Sequence, residues 1–78
     1  MFEVVVRRVK GVEWVVISTP DLATAVAKRA ALVAGYHERG FWGGRNAVGV
    51  YRLSKRVNGK RVRLAISVRM AVGAFSVN

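Results

Sequence analysis

Fourteen Lys and Arg stand against four Asp and Glu in 78 residues, a formal net charge of +10. The cations are unevenly spread. Lys55, Arg56, Lys60, Arg61 and Arg63 put five of them in nine residues, half of the whole excess. A guanidinium meets phosphate oxygens through two parallel N–H donors, so arginine at this density is phosphate-binding chemistry. Concentrated like charge also carries a self-repulsion that a polyanion relieves. The competing explanation is a protected strand edge, where Lys and Arg discourage aggregation. Edge protection does not require so many arginines.

The aromatic residues suggest a second kind of contact. Trp14, Phe41 and Trp42 have the chemistry to stack on single-stranded bases, with cations interleaved. Phe41-Trp42 equally suits a plug that closes a small core, and Trp14 a cation–π pair with Arg7. His37-Glu38-Arg39 is the one cluster resembling acid–base equipment. Adjacent residues do not converge on a point, and no second His or acidic pair supports them, so no catalytic residue is expected. With no Cys, one His and four carboxylates, neither a metal site nor a cofactor is expected. The stretch FWGGRN fits neither the dinucleotide nor the P-loop pattern, and no small-molecule substrate is evident.

The basic residues need a frame, and Asn58-Gly59 supplies it. Between alternating stretches this pair signals a type I′ hairpin, because both central positions need positive φ. Strands at 47–57 and 60–72 then pair Val57 with Lys60, Arg56 with Arg61, Lys55 with Val62, Ser54 with Arg63, Leu53 with Leu64, and Tyr51 with Ile66. Tyr51, Leu53, Leu64, Ile66 and Val68 fall on one face, and Arg52, Arg56, Arg61, Arg63 and Arg69 on the other. Like charges directly opposite, as at Arg56 and Arg61, are destabilising.

The rest of the chain reads as a support. Residues 2–9 and 12–18 suit two strands joined at Lys10-Gly11, with Arg8 opposite Glu13, Arg7 opposite Trp14, Val6 opposite Val15, Val5 opposite Val16 and Val4 opposite Ile17. That register puts Phe2, Val4, Val6, Val15 and Ile17 in the core, and a one-residue slip would exchange the faces. Thr19-Pro20-Asp21 starts a helix over about 20–34, with Thr19 as cap and Gly35 as stop. Its apolar stripe is Leu22, Val26, Ala30 and Val33, widened by Ala25 and Leu32. Residues 36–46 read as an ordered loop.

The expected fold is therefore α+β: a ββαββ chain forming a four-stranded, mainly antiparallel sheet with one helix packed on one face. The crossover between the second and third strands leaves room for a parallel central pair. Residues 1–78 make a single basic α+β domain, small enough that a second subunit would help to stabilise it. Sixteen valines suit a sheet. Val5, Val16, Val48 and Val50, if exposed, would leave an apolar patch on the basic face, which favours a homodimer. No apolar run reaches the roughly 20 residues of a bilayer span, and charges interrupt the N-terminal stretch, so a cytoplasmic protein without membrane association is expected. The lack of Gln and Cys is compatible with a thermophile.

The stretch Tyr51-Arg52…Asn58-Gly59-Lys60-Arg61-Val62-Arg63-Leu64 resembles the hairpin in the arm-type DNA-binding domains of tyrosine recombinases. It is a small part of the chain and assigns no family. The expectation from the residues is non-enzymatic binding of DNA or RNA through phosphates, by Arg52, Lys55, Arg56, Lys60, Arg61, Arg63, Arg69 and Arg45, with Trp42 as a stacking group. The alternative is a small structural protein that forms homo-oligomers or binds an acidic protein. An enzyme acting on nucleic acid comes third.

Overall fold

The computed structural model describes residues 1–8 and 11–71. The expected turn at Lys10, flanked by Val9, and the continuation of the last strand to Val72 lie outside the described residues. The elements run β1 (Phe2–Arg8), β2 (Glu13–Thr19), α1 (Leu22–Glu38), β3 (Trp42–Arg45), β4 (Tyr51–Val57) and β5 (Lys60–Met70). The α+β class with one helix holds, but the sheet has five strands rather than four, in the order β2-β1-β5-β4-β3. Every pairing is antiparallel, including that of β1 with β5 at the centre, so the parallel option is corrected.

The hairpin of β4 and β5 has the register its turn dictates. Val57 pairs with Lys60, Arg56 with Arg61, Lys55 with Val62, Ser54 with Arg63, Leu53 with Leu64, and Tyr51 with Ile66. Asn58 and Gly59 both take positive φ, at 52° and 79°. Leu53, Leu64 and Ile66 are buried with Val4, Val6, Ala25 and Val33, and Tyr51 and Val68 pack against them.

The first hairpin departs from expectation. Val4 does face Ile17, but Val5 then pairs with Val15, Val6 with Trp14 and Arg7 with Glu13. Val16 is the extra residue of a bulge opposite the Val4–Val5 step, and a bulge re-aims the side chains beyond it. Val16 consequently joins Ile17 against the core, while Val15 is left 41% exposed. Trp14 no longer faces Arg7.

The helix is longer than expected and turned about its axis. Asp21, not Thr19, is its N-cap, accepting from the amides of Ala23 and Thr24, while the Thr19 hydroxyl accepts from the Asp21 amide. Gly35 lies inside the helix. The stop comes at Gly40, with φ of 92°. There the amide of Gly40 donates to the His37 carbonyl at 3.0 Å and that of Phe41 to Tyr36 at 2.9 Å. These are the two bonds of a Schellman motif, and the Tyr36 and Phe41 rings meet edge to face at 5.3 Å as its hydrophobic contact. The buried side of the helix is Ala25, Leu32, Val33 and Tyr36, leaving Leu22 and Val26 49% and 39% exposed.

The Thr24 hydroxyl, with the two cap amides, holds the Asp21 carboxyl below its ordinary range. A carboxylate with a depressed folded-state pKa stabilises above its unfolded pKa, and that contribution is lost as pH falls through the folded value. Asp21→Asn keeps a capping oxygen but does not titrate. The loss of thermal midpoint on acidification below the carboxylate range, followed by far-UV circular dichroism, should be smaller in this variant than in the parent.

Candidate nucleic-acid interface

The face of the sheet opposite α1 is set by the alternation of β4 and β5. Arg52 pairs with Ala65, Ser54 with Arg63 and Arg56 with Arg61, so these rows carry guanidinium groups along one face. β1 pairs with β5 only from Arg8–Leu64 onwards, and β3 reaches along β4 only to Ser54. Beyond those points, Lys55–Val57 and Lys60–Val62 form a bare two-stranded ribbon. It projects from the body of the molecule, whose longest extent is 50 Å.

The predicted site residues therefore separate into groups. Arg56, Lys60 and Arg61 are exposed on the ribbon, and Arg52 and Arg63 sit at its root. Lys55 turns to the helix side: its ammonium donates to the Arg39 carbonyl and lies 5.8 Å from the centre of the Phe41 ring. Arg45 is exposed at the far end of β3, in the row of Tyr51. Arg69 stands apart.

Arg69 shares the basic face but spends its charge within the subunit. Its Nε donates to Glu3 at 3.0 Å and its Nη1 to Glu13 at 2.9 Å, the only ion pairs among the described residues. The hydrogen bond to Glu3, and then that to Glu13, push its pKa above the ordinary arginine value. Glu3 is paired with Arg69 across β1–β5, whereas Glu13 lies opposite Arg7. The side chain thus runs diagonally across the row of Val15, Val5 and Ser67. Val5 is only 3% exposed although it points away from the helix. With Val5 covered and Val16 turned into the core, two of the four valines expected to make an apolar patch do not contribute to it. Val48 is 82% exposed.

Trp42 is 64% exposed and stacks one face on His37, with ring centres 4.4 Å apart and planes 12° from parallel. His37 Nε2 is buried without a hydrogen-bond partner. The ring is roofed rather than presented to an approaching phosphate. Phe41, the other aromatic of that segment, packs against the core as a plug.

Pairing of β1 with β5 adds two residues that the sequence reading did not include. Arg7 lies opposite Ala65, which lies opposite Arg52 on its other side. Arg7, Arg8, Arg52 and Arg63 line an open basin of about 680 Å³. None of the four makes an ion pair or a side-chain hydrogen bond among the described residues. The carboxylates are engaged or remote: Glu3 and Glu13 on Arg69, Asp21 at the helix cap, and Glu38 at the end of α1. No group of three or more His, Asp or Glu able to hold a metal ion occurs among the described residues. No described helix is long and apolar enough to cross a membrane. Comparison with known proteins finds no match to the chain among family models, curated proteins or solved structures.

Proposed function

We propose that the protein binds DNA or RNA without catalysing a reaction on it, using the β4–β5 ribbon and the guanidinium groups at its root to contact phosphates. The observation that carries this reading is a row of arginines with no carboxylate to offset them, continuing onto a projecting two-stranded ribbon. Arg52, then Arg63, then the pair Arg56 and Arg61 occupy three successive rows at the two-residue repeat of a strand, about 6.8 Å per row. Arg69 has a different part in this proposal: it neutralises two carboxylates and covers Val5, leaving the binding face to the other arginines. Trp42 offers its outer face for stacking on a base.

Binding of this kind depends steeply on salt, because each neutralised phosphate releases counterions. If five phosphates of a duplex are engaged, a fourfold rise in salt lowers affinity by roughly 500-fold. Fluorescence anisotropy with duplex DNA, single-stranded DNA and RNA at several salt concentrations measures this directly. A steep fall is expected for at least one of the three. Failure to bind any of them at low salt would overturn the proposal.

A further inference from the structure

The basin differs from the ribbon in shape and in charge density. Its floor is small: Ala65 carries a methyl group between Arg7 on β1 and Arg52 on β4. Neighbouring strands are about 4.8 Å apart, so those two arginines begin about 10 Å from each other and lean over a shared floor. Arg63, two residues before Ala65 on β5, completes the rim, and Ser54 beside it adds a hydroxyl, whereas Arg8 borders the basin at the end of β1 but pairs with Leu64, in the row of the helix face. Glu13 lies opposite Arg7, and its Oε2 is held by Arg69 at 2.9 Å.

Arg7, Arg52 and Arg63 on one face put three guanidinium groups around one concavity, more than an interior phosphodiester asks for. A diester bears one negative charge, and a single bidentate guanidinium satisfies its two free oxygens. A phosphate monoester carries about 1.5 to 2 negative charges near neutrality and presents three acceptor oxygens. We propose that the basin of Arg7, Arg52 and Arg63 binds a dianionic phosphate monoester, supplied by the end of a nucleic-acid strand or by a free mononucleotide. The strand-end source rests on the nucleic-acid reading above; the mononucleotide source does not.

The test compares two short single strands of one sequence, internally labelled, with either phosphates or hydroxyls at both ends. The full chain is titrated with each, and separately with adenosine monophosphate by calorimetry. The phosphorylated strand should bind about tenfold more tightly, the gain expected from one further charge-assisted contact. Ala65→Leu, which fills the floor without altering charge, should abolish the preference, read as the ratio of the two strands' affinities so that any loss common to both cancels. Arg52→Gln, at an exposed position, should reduce the preference too and serves if the leucine variant misfolds.

A preference that survives both substitutions overturns the basin as the site. Equal affinity for the two strands, with no heat from the mononucleotide, overturns the basin while the nucleic-acid reading stands. Binding of the mononucleotide alone, lost in the variants, supports the basin and overturns the nucleic-acid reading. No binding of any ligand overturns both.

Discussion

Replacing Arg56, Lys60 and Arg61 together with Gln lowers affinity for nucleic acid about 100-fold at low salt, at roughly 1 kcal/mol for each lost contact. The logarithmic salt dependence flattens by about 2.7 on duplex DNA, at about 0.9 for each phosphate no longer neutralised. All three side chains are exposed on the bare ribbon, and none touches the core. Arg56 and Arg61 stand directly opposite each other, so their neutralisation removes a like-charge pair. Cross-strand pairs of this kind are worth about 0.2–1 kcal/mol. The thermal midpoint should therefore hold or rise while binding collapses. Anisotropy titrations over a range of salt, beside a thermal melt, check both halves. An unchanged affinity and slope would remove the ribbon from the interface.

That separation of binding from stability follows from the part of the fold most legible in the sequence. Asn58-Gly59 specifies both the turn and the register, and clean alternation along Val62, Leu64 and Ile66 tells the two faces apart. The first hairpin had no such anchor. Its valines are equally good on either face, and the bulge at Val16 is a backbone feature that no residue type there announces. The helix stop was misread because Gly35 and Gly40 are both suitable, and only Gly40 has an aromatic pair to close the motif. β3 was missed for a different reason. Gly43-Gly44 is a poor strand by propensity, yet a Cβ at Gly43 would lie 1.9 Å from the Arg52 carbonyl oxygen, so glycine is what lets β3 lie against β4.

The candidate site was legible in the same proportion. Arg52, Arg56, Arg61 and Arg63 belong to one local hairpin, whose geometry follows from its own turn. Arg7 and Arg8 enter only through the pairing of β1 with β5, a contact between the two ends of the described chain that local pattern cannot specify. Arg69 shares the charge and the face of Arg7, but its role depends on Glu3 and Glu13, residues 66 and 56 positions away. Residue type identifies phosphate chemistry; long-range pairing decides which arginines are left to perform it.

Ile66→Ala provides the opposite case, a large loss of stability with the interface chemistry intact. Ile66 is fully buried on β5, between Val6 on β1 and Tyr51 on β4. Truncating a buried isoleucine costs about 2–5 kcal/mol, because the cavity left behind collapses only in part. Stabilities of about 0.05–0.15 kcal/mol per residue leave a domain this small little margin, so a substantial unfolded fraction is expected at ambient temperature. The neighbour Ala65 faces the other way, into the arginine basin, so unfolding of β5 removes core and interface together. Apparent affinity then falls with the folded fraction. The salt dependence of the folded molecules should match the parent, since every phosphate contact remains. Saturating nucleic acid should raise the variant's thermal midpoint, because a ligand that binds only the folded state stabilises it by mass action. Circular dichroism melts with and without duplex, beside a salt series on the same samples, distinguish this from the ribbon variant. A weakened salt slope in Ile66→Ala would mean that the core substitution had disturbed the face itself.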